Sequence, residues 1–404
     1  MLKKTMKDIT HLGSYSMISN VLQKGLSFFL LPIYTAYLTP ADYGIIGILT
    51  AFVSWIQRVA SAPVGNGITR YYHSPEVKNK EGEMVFSGFV YVVIQLIIFV
   101  AFYLYFYEEI CRLLFGSDKY SRITRIFVAV LLLQPFSGKG LMGNLLRIQG
   151  KLGYIALGNA FRFLISAGVQ IYFLIFQNAG ILAMIYGLIA GNIFDIIFFS
   201  IKVIPFLRFR FSWKLLKPIL HYGYPLIFAA LSLVTLSFLD KYLIREFVGV
   251  TDAGLYVFAF RIAGITTLLF STPLKQAFLP VIFKMENDQK NQIEVVKKST
   301  TLFYLSGLCF GLFLSICSRE VIQIIASRQA YWSSWIIVPF IVLTNIQNAI
   351  GNFFNNGLAM AKKSVIISIA SLLRLLTGFI LLIILIPYFG AVGAAVAILF
   401  AQTF

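Results

Sequence analysis

Six cationic side chains lie within, or at the edge of, stretches of sequence that are apolar enough to dissolve in lipid. A central, lipid-facing charge costs about 2.5–3.5 kcal/mol, so six would cost roughly 15–20 kcal/mol, more than the usual net stability of a domain. Such side chains either extend to the lipid headgroups or line a wet cavity, where they attract anions. The chemistry that they offer is therefore electrostatic binding. The six residues are Lys24, Arg58, Lys139, Arg162, Arg261 and Arg374.

Depth in the membrane separates these two interpretations for some of the cations. Lys24 lies near the middle of its apolar stretch, where a side chain reaches the headgroups least easily, and we predict that it faces a cavity. Both interpretations stay open for Arg58 and Arg261. Lys139 lies beside glycines in "SGKGLMG", near the end of its stretch, and is predicted to be interfacial.

Two further arginines hold similar places in the two halves of the chain. Arg162 follows Lys151 by eleven residues, and Arg374 follows Lys362 by twelve. At a helical rise of 1.5 Å per residue, each would lie about 12 Å from the inner end of its span. Each arginine therefore either extends toward the cytoplasmic face or lines an aqueous cavity that attracts anions.

Carboxylates are scarcer than cations in the apolar stretches. Asp195 is predicted either to bind a coupling ion or to pair with an arginine. Asp240 is predicted to pair with Lys241 or Arg245, or to meet water at the interface. Asp42 precedes an apolar stretch, where a carboxylate in the first helical turn is the expected arrangement. This balance of charge favours an anionic cargo.

Composition gives the class of protein that must position these residues. The chain is 59% hydrophobic and 12% charged, with a mean hydropathy of +0.83, values that exclude a soluble domain. Long apolar runs without a ten-residue alternation favour helices over a barrel. We predict twelve spans, near residues 13–37, 42–64, 85–107, 123–146, 154–176, 180–201, 218–239, 252–274, 299–318, 332–354, 365–387 and 390–404. Because the last has only fifteen residues, we expect the natural terminus to lie further on.

Lysine and arginine orient the predicted spans. With the amino terminus inside, the inner segments hold 20 of the 34 Lys and Arg residues and the outer segments hold eight. The positive-inside rule then places the amino terminus in the cytoplasm. The same bias accounts for most of the +18 net charge, so no nucleic-acid partner is needed to explain it.

The chain also matches itself at a shift of 210 residues. At this shift Asp42 and Gly44 fall on Asp252 and Gly254, and Gly180 falls on Gly390. Since 210 residues hold six spans, the halves are parallel repeats, as in two-lobed transporters. We predict an all-α polytopic membrane protein with six-helix lobes at residues 1–204 and 218–404, joined by a cytoplasmic linker at 205–217.

Two segments carry a resemblance to a known family. These are "LLKPILHYGYPLIFAALSLVTLSFLDKYLIREFVGVTDAGLYVFAFRIAG" at 215–264 and "YLTPADYGIIGILTAFVSWI" at 37–56. Pro225 at the head of span seven, Asp240 at its end and "GLY" at 254–256 are typical of Wzx-type oligosaccharide flippases. The chain resembles this family, which belongs to a superfamily shared with multidrug exporters and the lipid II flippase.

The resemblance implies a transporter without covalent chemistry in the bacterial inner membrane. Its cargo would be a polyprenyl-pyrophosphate-linked oligosaccharide for a surface polysaccharide such as O-antigen, lipopolysaccharide or capsule, and its partners would include a polysaccharide polymerase and other assembly proteins. Lys24, Arg58 and Arg261 occupy places comparable to the pyrophosphate-handling cations of the lipid II flippase, and Asp42 to its aspartate. No cofactor is expected, whereas Na⁺, H⁺ or the membrane potential could drive transport.

Two alternatives are open at this point. A multidrug antiporter of the same fold would prefer acidic cavity residues, and this chain has mostly basic ones. A membrane glycosyltransferase or polymerase would carry catalytic groups on a large outer loop, but the longest predicted outer loop, at 108–121, is short and has no histidine. The cysteines have no metal-ligand spacing, so no metal site is predicted.

Overall fold

The computed structural model describes residues 25–268, 289–360 and 364–403, and the side chains within these ranges except residues 228–230, 289–299, 352–353, 355–360, 364–365 and 367. Lys24 lies outside the described residues. The described chain consists of helices joined by short turns, which confirms the predicted all-α class. Apolar residues dominate the helices, and in lipid a helix satisfies its own backbone hydrogen bonds.

The first helices of the described chain include the long, nearly unbroken segments of the predicted spans two to six. They are α1 (Leu31–Tyr37), α2 (Pro40–Tyr71), α3 (Glu81–Tyr105), α4 (Tyr107–Phe115), α5 (Ser121–Leu133), α6 (Leu141–Ile148), α7 (Leu152–Ile175) and α8 (Ile181–Val203).

The remaining helices include several bent ones. They are α9 (Trp213–Phe247), α10 (Val250–Thr266), α11 (Gln289–Ile316), α12 (Ser318–Ile325), α13 (Val338–Met360) and α14 (Ser364–Ala401). A run of 3₁₀-helix, Gln329–Ile336, precedes α13. The chain bends by 47° within α9, by 58° between α11 and α12, and by 53° before α13.

The number of membrane crossings is consistent with a multi-pass protein. Among the described residues, six helices are long and apolar enough to cross a membrane, or up to nine if each bent pair is one span. The first of the twelve predicted spans is described only from Gly25, and the eighth only to residue 268. The last two predicted spans lie within α14, which consists of two helices that meet at a kink at Gly390, where φ and ψ are not helical.

Backbone geometry repeats at the shift found in the sequence. Gly180 has φ 55° and ψ −129°, and Gly390 has φ 56° and ψ −136°, a left-handed conformation that glycine adopts without steric cost. Asp42 and Asp252 both lie in the first turn of a helix, α2 and α10. At both pairs, residues that are 210 positions apart in the sequence therefore have the same local backbone structure.

Two compact units can be distinguished within the chain. Among the described residues, one comprises residues 48–238, and the other comprises residues 25–47, 239–268, 289–360 and 364–403. In the first unit, residues such as Val64, Val85, Leu145, Phe199 and Ile219 form a buried apolar core. The boundaries differ from those of the predicted lobes, because the division falls within α2, after Gly47, and within α9, after Phe238. The lobe boundaries stay a prediction.

Close helix packing in the second unit depends on the glycines of the repeat. A Cβ atom built on Gly254 would lie 1.6 Å from the carbonyl oxygen of Pro40, and one on Gly44 would lie 2.3 Å from that of Val250. Backbone atoms cannot move aside as a flexible side chain can. Glycine at these two positions therefore lets the first turns of α2 and α10 approach each other directly.

Candidate functional site

Arg58 is an exposed cation near the middle of a membrane-length helix. It is the nineteenth of the 32 residues of α2 and lies 13 residues before Tyr71. At 1.5 Å per residue it is about 20 Å from that end of the helix and about 9 Å from residue 64, where the predicted span ends. No hydrogen bond or ion pair holds it among the residues that the structure describes. Its charge therefore needs water or an anionic ligand.

The remaining surface of α2 is unlike a lipid-facing surface. Within α2, all of which is described, only Arg58, Thr69 and Arg70 are exposed, and no large hydrophobic side chain is. In contrast, α3 exposes Ile94 (50%), Ile98 (61%) and several other apolar side chains. A helix that faces lipid exposes apolar groups, because lipid rejects charge. The exposed part of α2 is consistent with the wall of a wet cavity.

Arg261 occupies a different environment, in the second unit. It is half-buried on α10, and its guanidinium carbon lies 5.0 Å from the ring centre of Tyr43. Tyr43 packs edge-on against Phe258 and Tyr331, at centroid distances of 5.9 and 5.6 Å. The negative ring face stabilises the cation without neutralising it. Arg261 thus keeps its full positive charge on a rigid aromatic support.

Arg162 is paired with a buried carboxylate in the first unit. Its Nε lies 3.2 Å from Oδ2 of Asp195, and its Nη2 donates to Oδ1 of Asn192 at 3.2 Å. The Asp195 side chain is 0% exposed and also accepts a hydrogen bond from the Gly138 amide at 3.0 Å. Because α7 and α8 pack closely, Asp195 meets Arg162 directly. The pair joins two helices and neutralises both charges.

Arg374 lacks such a carboxylate. Its Nη1 donates to Oδ1 of Asn348 at 3.4 Å, and the same oxygen accepts a hydrogen bond from Nε2 of Gln402 at 2.6 Å. Nε of Arg374 is buried and has no hydrogen-bond partner in the described part of the chain. The three residues come from α13, α14 and the turn that follows α14. One amide oxygen, Oδ1 of Asn348, orients this guanidinium but leaves its charge uncompensated.

The two other candidate carboxylates hold positions that are structural. Asp42 accepts hydrogen bonds from the amide and the hydroxyl of Thr39, both at 2.8 Å, and Thr39 Oγ1 accepts from the Asp42 amide at 3.3 Å. This reciprocal pattern is a capping box at the start of α2. Asp240 is 2% exposed and accepts from Lys241 Nζ at 3.0 Å and from the Tyr256 hydroxyl at 3.1 Å. Both carboxylates are therefore engaged within the protein.

Only one pair of the predicted site residues is brought into direct contact. Among those that the structure describes, Arg162 and Asp195 form an ion pair, while Arg58, Arg261 and Arg374 each have separate surroundings. Lys24 lies outside the described residues. The binding roles predicted for these residues stay predictions.

Amide side chains are the functional candidates that the sequence reasoning missed. Asn192, Asn348 and Gln402 all contact an arginine or its partner. A signal was present, since Asn192 and Gln402 are 210 residues apart, the shift of the repeat. A second missed feature joins Tyr91 to Tyr224 by their hydroxyls in the first unit, with Gln95 donating to Tyr91 at 2.7 Å.

Potential metal ligands are dispersed in the described part of the chain. Within residues 25–268, 289–360 and 364–403, no three His, Cys, Asp or Glu side chains lie close enough to hold a metal ion. The described cysteines, Cys111, Cys309 and Cys317, are all free thiols.

Two curated proteins show significant sequence similarity. The succinoglycan biosynthesis transport protein ExoT of Rhizobium meliloti is 20% identical over 84% of this chain and 66% of its own length. The probable low-salt glycan biosynthesis flippase Agl15 of Haloferax volcanii is 25% identical over 53% of this chain and 45% of its own. The chain thus spans less than two thirds of the length of these relatives.

Solved structures share the fold at lower identity. A multidrug resistance MATE family transporter of the MOP superfamily, in an inward-facing conformation, has a TM-score of 0.71 and 15% identity, over 93% of this chain and 91% of its own. The lipid II flippase MurJ, in an inward closed conformation, has a TM-score of 0.65 and 16% identity, over 98% of this chain and 85% of its own. The fold is that of the two-lobed transporters of this superfamily.

The family is established by a match over most of the chain. The profile of the polysaccharide biosynthesis protein family matches residues 35–337, which include α2, Arg58, the Arg162–Asp195 pair and Arg261. The helical fold, the parallel repeat and the two relatives agree with this match. The chain is a multi-pass membrane protein that belongs to the polysaccharide biosynthesis protein family.

Proposed function

We propose that this protein moves a polyprenyl-pyrophosphate-linked oligosaccharide from the inner to the outer leaflet of the cytoplasmic membrane. Membership of the polysaccharide biosynthesis protein family supports the class of cargo. The relatives named as a biosynthesis transport protein and a probable glycan biosynthesis flippase support transport of this cargo rather than its synthesis. We propose alternating access as the mechanism, with no covalent step.

The single observation that carries the proposal is Arg58. An exposed arginine near the middle of a helix that exposes no large hydrophobic side chain marks a wet and cationic surface at membrane depth. Such a surface would draw a pyrophosphate through the region where lipid excludes charge, while the polyprenyl chain stays in the bilayer. A guanidinium suits this task because its planar N–H groups bind phosphate oxygens two at a time.

Arg261 is proposed as a second contact for the anionic headgroup. Its support by Tyr43 holds the guanidinium in place while its charge stays available. Arg162, in contrast, is neutralised by Asp195, so we assign it chiefly to packing of α7 on α8. Lys24 remains a proposed contact from the sequence alone.

The membrane potential is the proposed driving force. With the cell interior negative, outward movement of each negative charge is favoured by about 2.3 kcal/mol per 100 mV. Coupling to inward Na⁺ or H⁺ would add to this force. The distribution of Lys and Arg supports an amino terminus in the cytoplasm, which is the orientation that outward export requires.

The test is mass spectrometry of lipid extracts from the native host after depletion of this protein. We expect one polyprenyl-pyrophosphate-linked oligosaccharide to accumulate, and the wild-type protein to relieve the accumulation. Arg58→Ala is expected to fail in this rescue. Arg122→Ala is the matched control and is expected to succeed, because Arg122 is an exposed arginine at the start of α5.

The same strains separate the proposal from the multidrug alternative. An unchanged pool of lipid-linked oligosaccharide, together with new sensitivity to cationic drugs, would contradict the flippase and favour the exporter. A pool of lipid-linked oligosaccharide that is the same with and without this protein, together with unchanged sensitivity to cationic drugs, would contradict both.

A further inference from the structure

We propose that the second unit binds a compact anion at Arg374, either chloride or the carboxylate of a larger ligand. The site consists of the Arg374 guanidinium on α14, Asn348 on α13 and Gln402 just after α14. Nε of Arg374 is buried without a hydrogen-bond partner among the described residues, whereas the side chain as a whole is half-buried, so that an anion from solution would meet the partly exposed edge of the guanidinium.

The first step of the inference is a comparison of all partly enclosed cations. Five cations among the described side chains are buried or half-buried. Arg162, Lys241 and Arg245 each lie against a carboxylate, and Arg261 lies over the ring of Tyr43. Only Arg374, the fifth, has neither a carboxylate nor a ring in the part of the chain that is described.

The second step is that the described side chains of the neighbouring helices supply no counter-charge to Arg374. The helix α11, which packs against α13, carries Glu294, whose side chain lies outside the described residues. From Val321 to Phe404 the sequence contains no aspartate or glutamate, and this stretch includes all of α13 and α14. On α10, which packs against both helices, the sole carboxylate is Asp252, in the first turn of that helix. Asp240 on α9 is already held by Lys241 and Tyr256.

The third step is the energetic consequence. A largely enclosed guanidinium that contacts one neutral oxygen loses much of the hydration of its charge. No ion pair compensates for that loss. An anion that binds from solution provides the missing ionic interaction, and the guanidinium of Arg374 supplies N–H donors for it. Binding of the anion to the folded protein then stabilises the fold by mass action.

The experiment measures the thermal unfolding midpoint of the full chain, purified in detergent, at constant ionic strength. Chloride is the first probe and sodium glucuronate the second, and the sodium salt of a bulky sulfonate buffer, which has no carboxylate, keeps the ionic strength constant. We expect the midpoint of the wild-type protein to rise with chloride by about 2–4 °C, in proportion to the logarithm of its concentration once the site is saturated. A rise with glucuronate alone would identify the carboxylate of an acidic sugar as the ligand.

Variants assign the effect to Arg374. Arg374→Gln is expected to abolish the response and to raise the midpoint in the sulfonate buffer alone, because it removes an uncompensated charge. Arg374→Lys keeps the charge and is expected to retain a weaker response, and Arg122→Gln, the matched control, a full one. A chloride and glucuronate response that is the same in wild type and Arg374→Gln, or that is absent from wild type, would overturn the proposal.

The anion site does not depend on the proposed function. Arg374 and Arg58 belong to different units, and the thermal measurement requires no cargo. Failure of the anion response would leave the flippase proposal intact, and failure of the rescue experiment would leave the anion site intact.

Discussion

Arg162 and Arg374 lie at similar predicted depths in corresponding spans of the two halves, yet their surroundings differ in charge. Arg162 faces Asp195 at 3.2 Å and Asn192 at 3.2 Å, whereas Arg374 faces Asn348 at 3.4 Å and no carboxylate among the described residues. In both places an amide oxygen orients the guanidinium. The difference of one carboxylate separates a closed structural pair from a cation that still needs an anion.

This comparison teaches that a cation inside a membrane protein cannot be assigned from its depth alone. The free-energy cost of placing a charge in the membrane is similar for both arginines. An ion pair within the protein offsets this cost for Arg162 but not for Arg374. Arg58 shows a third arrangement, in which the charge is exposed on a helix surface that has no exposed large hydrophobic side chain. Partners and exposure decide which arginine is free to bind a ligand.

The largest expected effect comes from making the first site resemble the second. Asp195→Asn leaves Arg162 buried without a counter-charge, and we expect the free energy of unfolding to fall by about 3–5 kcal/mol. Denaturant titration of the purified protein in mixed micelles measures this change. The double variant Arg162→Gln/Asp195→Asn removes both charges and is expected to recover most of the loss. If the double variant were as unstable as the single one, the pairing of charges would not explain the stability of this site.

The reverse change gives the second site the carboxylate of the first. Asn348→Asp would place two carboxylate oxygens where Oδ1 of Asn348 now accepts from Arg374 and Gln402. We expect a gain of about 1.5–3 kcal/mol, measured in the sulfonate buffer without chloride, because each hydrogen bond becomes charge-assisted. Asn345→Asp is the matched control one turn earlier, where Nδ2 donates to the Ala263 carbonyl at 3.0 Å. This control is expected to destabilise, and a gain in both variants would contradict the assignment.

A smaller effect is expected from the amide that both sites share. Asn192→Ala removes one hydrogen bond to Arg162 but leaves Asp195 in place, so we expect a loss of about 1–2 kcal/mol. Asn159→Ala is the comparison, because Oδ1 of Asn159 is buried without a hydrogen-bond partner in the described chain. The same titration compares them. A loss at position 192 as large as that of Asp195→Asn would show that orientation, and not charge, stabilises the guanidinium.

Much of the fold could be predicted from the sequence because membrane helices must be apolar and continuous. Composition gave the class, and the shift of 210 residues paired Gly180 with Gly390, which share one unusual backbone conformation. What composition lacks is the direction of each helix face. Arg162 and Asp195 are 33 residues apart on different helices, so their pairing depends on how α7 and α8 rotate against each other. The same missing information hid the exposure of Arg58.

The most direct test of the central claim is flipping by the purified protein in liposomes. The probe is the lipid-linked oligosaccharide purified from the depleted strain, and a membrane-impermeant hydrolase reports the fraction in the outer leaflet under a potassium diffusion potential. We predict rapid, potential-dependent exposure of the probe with the wild-type protein and with Arg122→Ala, and little above the protein-free rate with Arg58→Ala. Equal rates with and without the protein, or full activity of Arg58→Ala, would contradict a cationic path for an anionic cargo.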